Sequence, residues 1–166
     1  MDIYILRHGI AVPHGTPGVA EPDRPLTREG EKETKRAAKG MKEMGLEFDV
    51  ILSSPYERAR KTAWITADVL GVKKILRYSD HLISEGDPEK LVAEIGRMNP
   101  APESIMLVGH EPYLSGLISV LTSGTKNLNI AFKKGGLCKL SATALRYGKC
   151  ARLEFLFTPR HLDRMR

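Results

Sequence analysis

The chain has 166 residues, a length that suits one domain burying about two thirds of the surface its unfolded form exposes. Its 42% hydrophobic and 28% charged residues include no apolar stretch near the ~18 residues of a membrane helix, which excludes a bilayer-spanning segment. Lys and Arg outnumber Asp and Glu by 26 to 20, giving +6, so an anionic partner is favoured; the cations are interleaved with acids and lack flanking aromatics, which argues against nucleic acid.

In chain order, Ile3 to Leu6 reads as a buried strand that stops abruptly at Arg7-His8-Gly9. No basic n-region and apolar h-region precede it, so a cytoplasmic location is expected. Between Thr27 and Met44, Gly30, Thr34, Ala37, Ala38, Met41 and Met44 share one face of an amphipathic helix. Val50 to Leu52 is a second strand. Ser54-Pro55-Tyr56-Glu57 predicts a helix start with a capping box, running to about Leu70 and ending at Gly71. Ile75 and Leu76 give a third strand, and Asp87-Pro88 caps the next helix.

Ile105 to Val108 is a fourth strand, followed by a helix from Pro112 towards Leu121. Leu137 to Leu140 and Leu153 to Phe157 predict an antiparallel hairpin around Arg146-Tyr147-Gly148-Lys149. Cys138 and Cys150 lack C-x-x-C spacing and nearby histidines, so reduced thiols are expected rather than a zinc site or a disulfide. The basic C-terminal "RHLDRMR" reads as a frayed, solvated tail. Without repeats or linkers, residues 1–166 form a single domain on this reading. Strands alternating with helices predict an α/β fold, a three-layer α/β/α sandwich with a mainly parallel central sheet and a C-terminal antiparallel strand pair.

Ligands in open α/β sheets bind beyond the carboxyl ends of the strands. Arg7-His8-Gly9 follows the first strand, Ser53-Ser54-Pro55 with Arg58 follows the second, and Gly109-His110-Glu111-Pro112 follows the fourth. Two histidines and two arginines thus meet at one edge, beside helix N-termini that favour anions. The set suits a phosphoryl group. His14, His81 and His161 read as surface or structural residues, and Arg60 and Lys61 as a solvated face. Ser53 has no accompanying base, so turn chemistry explains the serine pair.

Taken together, "LRHG", "RPLTREG" at Arg24 to Gly30, "SSPYERARKTA" at Ser53 to Ala63 and "VGHEP" at Val108 to Pro112 resemble, in order, the histidine phosphatase superfamily. The chain is similar to its short SixA-type phosphohistidine phosphatases rather than the longer phosphoglycerate mutases, because only Ser79 to Asp87 connects the Leu76 strand to the next helix. The resemblance implies a pocket without a lid, able to admit a phosphorylated side chain of another protein.

It further implies His8 as nucleophile, a neutral imidazole forming a phosphohistidine that water hydrolyses. Arg7 and Arg58 would depress its pKa and clamp the phosphoryl oxygens, a backbone carbonyl would fix its tautomer, and His110 would donate to the same oxygens. Arg24 would contribute to substrate binding from the loop before the first helix. For the general acid, Glu85 and Asp87 are the candidates; Asp87 is explained as a helix cap, which leaves Glu85. No cofactor or metal is needed, since arginine and histidine supply the positive charge. The expected partner is a phosphohistidine protein or, alternatively, a small phosphate ester or anhydride. A non-catalytic phosphate-binding module is the remaining reading.

Overall fold

The computed structural model describes residues 1–166. Six strands, β1 (Asp2–Arg7), β2 (Val50–Ser53), β3 (Leu76–Tyr78), β4 (Ser104–Gly109), β5 (Leu137–Ala142) and β6 (Ala151–Phe157), form one sheet in the order β3-β2-β4-β1-β5-β6. The helices are α1 (Arg28–Glu43), α2 (Glu57–Leu70), α3 (Pro88–Gly96), α4 (Tyr113–Ser123) and α5 (Pro159–Asp163). β1 to β4 are mutually parallel, while β5 runs antiparallel to both β1 and β6. This is the expected α/β/α sandwich with its C-terminal antiparallel pair.

Side chains of β1 are buried on both faces, as a covered parallel sheet requires. Ile3 and Ile5 pack with Leu91 and Ile95 of α3 and Leu117 and Ile118 of α4. Tyr4 and Leu6 pack on the other face with Met41 of α1, Ala63 of α2 and Leu162 of α5.

Local chemistry explains how α1 meets the strand end. The Thr27 side chain accepts from Gly30 N, and Gly30, Thr34, Ala37, Ala38 and Met41 are buried along the predicted face, with Met44 half-buried. A Cβ on Gly30 would lie 2.0 Å from the carbonyl oxygen of Ile10, so only glycine lets the first turn of α1 rest on the chain leaving β1. That contact fixes the backbone around His8 to Ile10.

Two expectations differ. The capping box at Ser54 is not formed: α2 starts at Glu57 with Tyr56 as an N-cap whose side chain makes no capping bond, and the Ser54 hydroxyl is turned inward to His110. Gly71 does end that helix in a left-handed conformation, φ 76°. The C-terminal tail is not frayed. Pro159 starts α5, Thr158 N donates to the His161 ring, and Leu162 is fully buried against α1. Gly40 is the recess that receives it, since a Cβ there would lie 1.9 Å from Leu162 O. One buried leucine among charged neighbours holds the segment down.

The strand order places a switch point between β1 and β4. From β1 the chain crosses to α1 on one face, whereas from β4 it enters α4 on the other. The connections diverge, leaving a crevice at the carboxyl ends of this adjacent pair. In the β1–β4 register Arg7 lies opposite Gly109, so His8 and His110 leave the sheet side by side.

Candidate active site

At this crevice the rings of His8 and His110 lie 5.2 Å apart, tilted by 52°. His8 N donates to Gly109 O at 3.1 Å, tying the two strand ends together. The following turn is held by Gly9 N donating to Thr62 Oγ1 of α2 at 3.0 Å, while Thr62 donates to Arg58 O at 2.7 Å. A Cβ at Gly9 would meet Thr34 Oγ1 at 2.6 Å, so this turn too depends on a missing side chain.

His8 Nδ1 is 2.7 Å from Gly9 O. A carbonyl only accepts, so Nδ1 carries the proton and Nε2 keeps its lone pair. Towards that lone pair Arg58 points its Nε–H, 3.3 Å away. The His8 pKa is lowered to about 3, first by burial and then by Arg58, Arg7 and Lys134, against the opposing effect of the Gly9 bond. The sequence argument credited the arginines; in the structure, loss of hydration ranks above them.

His110 is 1% exposed and its pKa is likewise lowered to about 3, by burial and then by Arg58. Its Nε2 is 2.8 Å from Ser54 Oγ, while its buried Nδ1 has no partner. Tyr56 N also donates to Ser54 Oγ, at 3.2 Å. Ser53, by contrast, donates to the carbonyl of Ser54.

Arg58 is 2% exposed and is held from the far side by Glu21. Its Nη1 donates to Glu21 O and its Nη2 pairs with Glu21 Oε1, both at 2.9 Å. Arg24 Nε and Nη2 each donate to the same carboxylate at 2.8 Å, and His14 Nδ1 lies 2.6 Å from Oε2. The Arg24 hydrogen bond, followed by His14 and Arg58, lowers the Glu21 pKa to about 2. Glu21 is the site residue that sequence reasoning missed. Arg24, expected to bind substrate, donates to Glu21 and to the Val12 carbonyl.

Arg7 makes no hydrogen bond to either histidine. Its Nη1 donates to Phe132 O at 2.6 Å, and its Nε is buried without a partner. It lines a cavity of about 750 Å³ that lies beside His8 rather than over it. Glu85 is exposed and accepts from the Tyr56 hydroxyl at 3.0 Å. The Tyr56 ring is 5.3 Å from His110 and carries the Arg58 guanidinium 5.5 Å above it. Asp87 accepts from Glu89 N and Lys90 N, as a helix cap does.

The Ser79 to Asp87 connection forms no lid: it contains one short helical turn at Asp80–Leu82, and Leu82 is fully buried in the core. His8 and His110 are nevertheless only 5% and 1% exposed, so the site is deeper than an open pocket. Tyr56 and Arg58 close it.

Comparison with known proteins agrees with this architecture. The model of the histidine phosphatase superfamily (branch 1) matches residues 3–103. A protein of Picosynechococcus sp. is 35% identical over 88% of either chain. Phosphohistidine phosphatase SixA of Escherichia coli is 27% identical over 75% of this chain and 76% of its own. The solved structure of the protein histidine phosphatase SixA complexed with tungstate superimposes with a TM-score of 0.83 at 23% identity, covering 98% of this chain and 99% of that one. The paired strand-end histidines, the buried arginine bonded to His8 and these similarities together establish that the chain belongs to the histidine phosphatase superfamily.

Proposed function

We propose that the protein is a phosphohistidine phosphatase acting through a phosphorylated His8. The observation that carries this reading is the committed tautomer of His8: Nδ1 is spent on Gly9 O, and the one free lone pair, on Nε2, faces the arginine that would hold a phosphoryl oxygen.

In the first step Nε2 attacks phosphorus in line, forming a P–N bond as the donor's P–N bond breaks and its electron pair leaves with the donor imidazole. Arg58 turns its Nε–H from His8 to a phosphoryl oxygen, which frees the nucleophile and neutralises charge on the transferring group. In this mechanism the Ser54 hydroxyl donates to His110 Nε2, which leaves the proton of that ring on Nδ1, buried and otherwise without a partner. His110 Nδ1 then carries a proton and donates to another phosphoryl oxygen. Arg7 adds positive charge from the side.

Glu85 supplies a proton to the leaving nitrogen. In the second step it takes one from water as the water oxygen bonds to phosphorus and the P–Nε2 electron pair returns to His8. Depth does not exclude a protein substrate, because only the phosphoryl group and the edge of its imidazole have to reach Nε2.

A substrate panel tests this reading at neutral pH with a chelator present: a phosphohistidine peptide, phosphoramidate, phosphoserine and several phosphorylated metabolites. The reaction is also quenched in base, where phosphohistidine survives, to trap the enzyme intermediate. We expect the phosphohistidine peptide to give the highest kcat/KM and label to appear on wild type but not on His8→Ala. Preference for a small ester would replace the substrate assignment; full turnover by His8→Ala would end the covalent mechanism.

A further inference from the structure

The cavity of about 750 Å³ beside His8 is lined by Arg7, Lys133, Lys134, Arg160, His161 and Arg164, with Glu33 as its single acid. Three other surface arginines are paired with acids, Arg36 with Glu29, Arg60 with Glu57 and Arg166 with Asp163. Lys133, Lys134, Arg160 and Arg164 are exposed and take part in no ion pair. Cations are therefore gathered here with their charge unmatched.

The backbone holds this shelf against the site. Arg7 Nη1 donates to Phe132 O, and Gly135 N donates to both Arg7 O and His8 O, at 3.1 and 3.0 Å. Lys133 and Lys134 thus lie on a short loop pinned at either end to the strand end that carries His8. The opposite wall is α5, itself anchored by Leu162. Both walls are fixed, whereas the charged side chains are long and hydrated.

We infer that this shelf docks an acidic segment of the phosphoprotein substrate, placing carboxylates beside Lys133, Arg160 and Arg164 while the phosphohistidine enters at His8. The inference rests on the phosphohistidine reading above. Exposed cations spread over two elements suit carboxylates along a polypeptide, whereas a single small phosphate is better held by buried, forked donors like those of Arg58. Burial raises the Glu33 carboxyl above its ordinary pKa.

The test uses two phosphohistidine peptides, one with Asp and Glu flanks and one with neutral flanks, and the unphosphorylated acidic peptide as a binding probe. The variant is Lys133→Gln/Arg160→Gln/Arg164→Gln, which leaves Arg7 and Lys134 in place. Wild type should show a KM about tenfold lower for the acidic peptide, shrinking with added salt. The triple variant should lose that difference and bind the acidic peptide about tenfold more weakly by fluorescence anisotropy, with kcat on phosphoramidate unchanged. Equal KM values in wild type, or an acidic preference that survives in the variant, would overturn the docking assignment and leave the phosphohistidine reading intact. Hydrolysis of phosphoserine with neither phosphohistidine peptide turned over would overturn both, whatever the binding arm shows.

Discussion

Arg58 Nε lies 3.3 Å from His8 Nε2, the only nitrogen of that ring with a free lone pair. This contact occupies the nitrogen proposed to attack phosphorus. At the same time Nη1 and Nη2 are fixed by the Glu21 carbonyl and carboxylate. One planar group thereby spans the His8 ring and Glu21.

Arg58→Lys keeps the charge and removes the fork. A lysine ammonium is a compact point charge that cannot reach His8 and both Glu21 oxygens in that geometry. We expect kcat/KM on a phosphohistidine peptide to fall by about 10² to 10³, the scale of losing one oriented donor to a developing charge. Thermal melts run alongside check that the variant is folded at the assay temperature. A loss smaller than about tenfold in folded enzyme would mean that charge alone, without the fork, carries the role.

Acid should destabilise the fold through the same two imidazoles. His8 and His110 are held near 3 in the native state but titrate near 6.5 when unfolded, so between these values the unfolded chain binds more protons and stability rises with pH. Moving from pH 7.5 to 5.0 costs up to about 2 kcal/mol for each ring on that basis. Glu21 has the same sign in a lower window: its contribution is complete above about 4.5 and disappears as pH falls towards about 2. Urea denaturation at pH 7.5 and 5.0 isolates the histidines, and His110→Gln should lose about half as much stability over this interval as wild type. An equal loss in both proteins would assign the acid sensitivity elsewhere.

What could be seen in the sequence was whatever the strands themselves determine. His8 and His110 each stand two residues past an apolar run, and the parallel β1–β4 register brings them together without any loop being known. Glu21 gave no comparable signal. It pairs with Arg58 across 37 residues, and the Glu-Pro-Asp-Arg run around it has neither helical nor strand periodicity. Arg24 reads as a free cation, whereas the acid three residues before it takes its guanidinium. Ser54 was misjudged for a different reason: its Ser-Pro-x-Glu context predicts a cap, whereas a buried imidazole competes for the same hydroxyl. For α5 a usable clue was present in Thr158-Pro159 followed by Leu162, a helix start with one apolar side chain, masked by the density of charge around it.

Glu85 is the proposed proton donor to the leaving group, and that role can be separated from a structural one. Its carboxyl accepts from Tyr56, whose ring lies 5.3 Å from His110, so the acid is tethered to the mouth of the site without touching His8. An alkoxide leaving from phosphorus is strongly basic and needs a proton in the transition state, whereas an imidazole leaves with much less help. Glu85→Gln should therefore lower kcat for phosphoserine by about 10² while slowing a phosphohistidine peptide by less than about tenfold. Tyr56→Phe, which loosens the carboxyl without removing it, should act in the same direction more weakly. Equal losses on both substrates would defeat the leaving-group argument, and no loss on either would remove Glu85 from the reaction. The ratio of the two effects is the informative quantity, because a variant that merely disturbed the Tyr56 contact with His110 would weaken phosphoryl binding and slow both substrates alike.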